Sequence, residues 1–159
     1  MLVVMAEAPA AQAQRRNRND NSNQGVPVAT SAIVQNPGAY YGKAVTVSAG
    51  IERVLSKTAF VIDQRRAVSA TEVKAIGKPL LVIAPGLNAA LDSKHYVLMR
   101  GQIVKFDPAE IARLAPGYAL DLAPELGAQY EGRPVMLASS VINSTFTEVT
   151  KKRDPDPPR

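Results

Sequence analysis

Few residues in this chain have chemistry to offer. His95 is the one histidine and cysteine is absent, so thiol catalysis, thiolate metal sites and disulfides have nothing to build on. A Ser-His-Asp set would need His95, which stands in Asp92-Ser93-Lys94-His95, a turn ahead of a strand with no nucleophile-elbow sequence. Zinc or copper held within one chain wants several imidazoles or thiolates. The remaining candidates are carboxylates: Asp107, Glu110, Asp121, Glu125 and Glu131 crowd into one stretch. Their spacing matches no calcium loop. A glycosidase pair would want an aromatic-lined sugar cleft, and the chain has no tryptophan. Neither G-x-G-x-x-G nor G-x-x-x-x-G-K-[ST] occurs. The expectation is a non-enzymatic protein, with no catalytic residue, metal or cofactor.

Binding is the chemistry that remains, and two sets of residues suit it. Arg113, Tyr118, Tyr130 and Arg133 bring aromatic area and fixed positive charge to one long connection, where Tyr118, Leu122, Leu126 and Tyr130 recur at four-residue steps. A connection of that size is more often functional than decorative. The second set is Phe60 with Lys57, Arg65 and Arg66, an aromatic beside basic residues as single-stranded nucleic acid requires. Aromatics make up only 5% of the chain, which weighs against that second reading. A hydrolase using the loop carboxylates is the third.

Five strands must position these residues. Residues 44–55 alternate, with Val45, Val47, Ala49 and Ile51 on one face. The phase changes after Arg53, where Val54 and Leu55 follow, and with Gly50 just upstream this marks a strand that bends. Residues 58–63 form a second strand, close enough for a hairpin. Residues 65–78 are polar and mixed, a long excursion or an irregular helix. Residues 80–84 are continuously apolar and stop at Pro85-Gly86. In residues 96–106, Val97, Met99 and Ile103 share a face with Gly101, while Val104 and Phe106 belong to the other. Asp107-Pro108-Ala109-Glu110 spells a helix start, with Asp107 as cap and Glu110 three residues on. A second turn follows around 121–126, its helicity limited by Pro124. Residues 135–142 are the last strand.

Two long strands bent at glycine fit a small closed barrel better than a flat sheet with exposed edges. Gly42-Lys43-Ala44-Val45-Thr46-Val47-Ser48, followed by Val97-Leu98-Met99-Arg100-Gly101-Gln102-Ile103, resembles the first and fourth strands of small exported bacterial oligonucleotide/oligosaccharide-binding (OB) proteins. The resemblance covers about 100 residues. It implies a mainly β, five-stranded OB-like barrel with a short helical insertion between the last two strands. It also implies a ligand at the barrel end formed by residues 55–58 and 107–133. The usual helix between strands three and four would have to be 87–91.

The ends read differently. Residues 1–13 close on Ala11-Gln12-Ala13, an A-x-A cleavage pattern that predicts a partial signal peptide and a periplasmic or secreted protein. Residues 14–32 read as a disordered spacer, 33–149 as the barrel domain and 150–159 as a disordered basic, proline-rich tail. Seven of the 19 basic and four of the 14 acidic residues lie outside 33–148, so most of the +5 charge sits on the ends. Such charge keeps a chain soluble and is no nucleic-acid signature by itself. No apolar run is long enough to span a membrane. The expected partner is an envelope protein or a small ligand, with nucleic acid not favoured.

Overall fold

Alternating apolar residues give the longest strands one buried face, and glycine lets them turn. A computed structural model describes residues 25–67, 69–93 and 95–150. The strands are β1 (Val26–Pro27), β2 (Ala44–Val54), β3 (Ala59–Ala67), β4 (Val73–Ile83), β5 (Tyr96–Lys105) and β6 (Pro134–Ile142). Three short helices accompany them: α1 (Thr30–Gln35), α2 (Pro108–Leu114) and α3 (Pro124–Tyr130). Neighbours run β2-β3-β4-β6-β5, and β5 pairs back onto β2, so five strands close into a barrel. All pairings around the ring are antiparallel except β4 with β6. The protein is thus mainly β, with an OB-like closed barrel. Among the described residues, no helix is long and apolar enough to cross a membrane.

The bends fall where the glycines predict. β2 pairs with β5 from Ala44 to Gly50 and with β3 from Gly50 to Val54, so Gly50 is where the strand passes between partners. Glu52 is then an extra residue opposite β3. Gly101 faces Val45 of β2 and Ala138 of β6, and Ser139 bulges beside it. The first half of β2 would be left with an open edge, which β1 fills in parallel register, Val26 opposite Val45.

Two apolar layers result. Val45, Val47, Ala49, Ile51, Phe60, Ile62, Leu80, Val82, Val97, Met99, Ile103, Met136 and Val141 fill the barrel. Val61, Leu81, Ile83, Val104, Phe106, Ile111 and Val135 form a second core on the other face of the strands. Residues 106–133 fold over that face, with Leu114, Tyr118, Leu120, Leu122 and Tyr130 packed against it. This explains the unbroken apolar run at 80–84, since a strand buried on both sides has no polar face. Full burial of an aliphatic side chain contributes roughly 1.5–3 kcal/mol, and these half-buried ones contribute a share of that each, so the connection is a seated layer rather than a loose loop.

Several local expectations need correction. Residues 25–32, assigned to the spacer, form β1 and the start of α1, whose Ile33 enters the barrel core. The helix that plugs the barrel therefore precedes the first long strand. Residues 87–91 form no helix. Residues 65–78 are neither excursion nor helix: β3 and β4 continue as a paired ribbon, Gln64 opposite Ile76 through Ala67 opposite Val73. At its base Gly77, Lys78 and Pro79 stand opposite the single residue Asp63. Pro79 therefore falls in a bulge, where no ladder bond is forfeited. Pro124 starts α3 instead of limiting it, since the first helical position needs no amide hydrogen. Thr150 is buried and its hydroxyl accepts from the Val141 amide, so the packed domain runs one residue into the expected tail. The remaining expected tail, 151–159, and residues 1–24 lie outside the described residues.

Candidate functional site

The turn between β2 and β3 and the long connection between β5 and β6 meet, as the expected barrel end requires. Their junction is polar. Asp121 Oδ1 accepts from Ser56 Oγ at 2.8 Å, from Thr58 Oγ1 at 2.5 Å and, weakly, from the Tyr118 hydroxyl at 3.4 Å. The hydroxyls of Tyr118 and Thr58 are 2.7 Å apart. Ser56 also shapes its own turn, because its Oγ accepts from the Ala59 amide at 2.9 Å. The cluster is a latch that pins the connection to the hairpin.

Charge and burial act on it in opposite ways. Partial burial pushes the Asp121 carboxyl up, but hydrogen bonds donated by Thr58, Ser56 and Tyr118 outweigh it and hold the group below its ordinary value. The Tyr118 phenol is pushed up, chiefly by burial and also by the Asp121 charge, against the hydrogen bond with Thr58. A carboxyl lowered on folding favours the latched state above the ordinary carboxylate range, and that contribution disappears as pH falls through the lowered value. Because Asp121 is exposed, Asp121→Ala should cost about 1 kcal/mol or less globally. It should speed amide exchange selectively across residues 116–131, and acidification of the parent should do the same. Uniform exchange rates in both cases would exclude the latch.

The four residues of the expected ligand site are spread along the connection: Arg113 on α2, Tyr118 after it, Tyr130 at the end of α3 and Arg133 just before β6. Arg113 Nε and a terminal guanidinium nitrogen reach the two Glu110 carboxylate oxygens at 2.9 and 2.6 Å on exposed α2. That hydrogen-bonded pairing holds Glu110 below, and Arg113 above, their ordinary values. Glu110 therefore pairs forward along the helix instead of reaching back to its start, while Asp107 does cap it, accepting from the Ala109 amide at 2.9 Å. Tyr118 and Tyr130 are half-buried against the outer core, and Arg133 is exposed.

The nucleic-acid set fares differently. Phe60 is 0% exposed inside the barrel, so its ring presents no face for a base. Arg65 Nε lies 2.9 Å from Asp63 Oδ1, and its guanidinium donates to the Ile51 carbonyl at 2.8 Å. Lys57 is exposed at the hairpin turn. Arg66 belongs to β3, and its side chain lies outside the described residues. His95, read as a turn histidine, is exposed beside Asp92.

A cleft of about 470 Å³ opens on the other side of the hairpin turn, within the size range of small-molecule sites. Val54, Leu87, Ala89, Ala90 and Leu91 give it apolar walls, Ser56, Lys57 and Asn88 are polar, and Phe60 lies at its base. Backbone bonds fix the 87–91 wall: the Asn88 amide donates to the Val149 carbonyl at 2.9 Å, and Leu87 bridges to Thr150. A wider depression of about 1080 Å³ runs past Arg100, Gln102, Ser139 and Ser140 to residues 114–119, Tyr118 among them. The 470 Å³ cleft was missed because Leu87-Asn88-Ala89-Ala90-Leu91 reads as a helix for the barrel core; its small, apolar side chains after a Pro-Gly stop were the available signal. Among the described residues, no three His, Asp or Glu side chains gather as a metal site would need. Comparison with family models, curated proteins and solved structures finds no match.

Proposed function

We propose that this protein is a non-enzymatic binding module of the bacterial cell envelope, holding a small amphipathic ligand in the cleft between residues 54–57 and 87–91. The observation that carries this reading is the pairing of apolar walls with the exposed Lys57 at the same cleft. A hydrocarbon group gains by leaving water for such walls, and an ammonium matches an anionic head. Three of the five carboxylates that an acid–base mechanism would draw on have other work. Asp107 caps α2, Glu110 pairs with Arg113 and Asp121 holds the latch. The envelope location rests on the Ala11-Gln12-Ala13 cleavage pattern, outside the described residues.

Titration of isotope-labelled protein with decanoate tests the site. Amide shifts should concentrate at residues 54–60 and 87–91. Ala90→Trp, which fills the cleft from an exposed position, should abolish them. Lys57→Gln should weaken binding several-fold, the worth of about 1 kcal/mol for an exposed ion pair. Shifts centred on residues 106–133, or untouched by Ala90→Trp, would place binding elsewhere.

A further inference from the structure

The turn between β2 and β3 is a partition, with the cleft on one side and the long connection on the other. Val54, Ser56 and Lys57 line the cleft, while Leu55 joins Tyr118, Leu120 and Leu122 against the outer core. Ser56 serves both sides, since it lines the cleft and its hydroxyl donates to Asp121 at 2.8 Å. The same oxygen accepts from the Thr58 and Ala59 amides at 3.3 and 2.9 Å, so it also sets the backbone of the turn. Thr58 reaches the opposite wall. Its hydroxyl donates to Asp121, its carbonyl accepts from the Ala84 amide at 2.8 Å, and the Ala84 carbonyl accepts from the Leu87 amide at 3.0 Å.

One short turn thus carries a cleft wall and both hydroxyl anchors of the latch, while residues 106–133 stay outside the cleft's lining. Either partner must find the turn ordered before using it. Ordering met once is not met again, so a turn held from one side accepts a partner on the other more readily.

We infer that the cleft and the latch regulate one another: an anionic amphiphile in the cleft tightens the latch, and the latched connection raises the affinity for the amphiphile. The inference rests on the cleft being the binding site, and it makes the connection on the outer face a reporter of occupancy. Linkage makes the effect reciprocal. The factor by which the ligand suppresses latch opening equals the factor by which opening weakens the ligand. The bonds of the latch are partly exposed, which keeps that factor at about threefold.

Decanoate titration and amide exchange on the full chain at pH 7 test the coupling. Thr58→Val keeps every charge, stands outside the cleft's lining and removes the hydroxyl shared by Tyr118 and Asp121. It should weaken decanoate about threefold. Asp121→Ala should also weaken it, although deleting a negative charge would by itself favour an anion. In the parent, saturating decanoate should slow exchange about threefold across residues 116–131, and Thr58→Val should remove that slowing. Parent affinity in Thr58→Val, or exchange at 116–131 indifferent to decanoate, would overturn the coupling. If Ala90→Trp still abolishes binding in that case, the cleft itself stands. Absence of any binding that Ala90→Trp removes would overturn the cleft, and the coupling with it.

Discussion

Gly101→Ala should strongly destabilise the barrel, although it adds a single methyl group. A Cβ at this position would stand 2.4 Å from the Leu137 carbonyl oxygen, 2.8 Å from Ala138 Cα and 2.9 Å from the Leu137 carbonyl carbon. All three are backbone atoms of β6, so no side chain can rotate away. Relief requires β6 to part from β5 beside the Ser139 bulge, inside a ring whose other pairings resist it. Overpacking of this kind exceeds the usual 1–3 kcal/mol range, so a loss of about 3 kcal/mol or more is expected. That is a large share of the roughly 5–15 kcal/mol that holds a domain together. Thermal unfolding should show a midpoint lowered by about 10 °C or more. Gly38→Ala is the control, since a Cβ there meets nothing within 4 Å, and its midpoint should stay near the parent's. If the two variants melt together, the close crossing at Gly101 is not real.

Arg65→Met carries the second large effect. Asp63 is 3% exposed, and Arg65 Nε is its charged partner at 2.9 Å. Removing the guanidinium leaves a buried carboxylate without compensation, which costs about 3–5 kcal/mol in comparable buried pairs. The double change Asp63→Leu with Arg65→Met removes both charges and should recover most of that loss. Gly50 belongs to the same arrangement, since an added Cβ would meet Arg65 Nε at 2.7 Å. An arginine can swing away where a backbone cannot, so Gly50→Ala should cost less than Gly101→Ala. Denaturant unfolding of the three variants decides it; a double variant no more stable than Arg65→Met would contradict the pairing. The same expectation warns against reading a loss of binding in Arg65 variants as a lost contact.

The barrel was legible because its strands obey one rule that a sequence displays openly. Alternation at Val45, Val47, Ala49 and Ile51, broken after Arg53 with Gly50 just upstream, marks a curved strand with one buried face. Asp107 and Pro108 likewise announce α2 by local chemistry alone. The elements that escaped have no such signal. Thr30–Gln35 is short and has no side-chain cap, so its role as barrel plug depends on Ile33 finding a hole made by residues far away. The ribbon beyond Gln64 and Ile76 is stabilised by cross-strand pairing, which leaves no apolar rhythm to read. At the site, the sequence placed residues 55–58 beside the long connection but misjudged what lies between them. Tyr118 looked like a contact residue because aromatics in loops often are; in the fold it is a peg between Thr58 and Asp121. Phe60 looked like a stacking ring because strand residues of either phase look alike until the inside is known.

Among the described residues β6 is the last strand, and it joins β4 to β5. No ring can therefore exist on the ribosome until residues 134–142 have emerged, whatever has formed before them. Until then one edge of β4 and one edge of β5 stand open. Folding should accordingly be governed by distant pairings and be slow for the chain's size. The vulnerable period for proteolysis or aggregation is the wait for that one late segment.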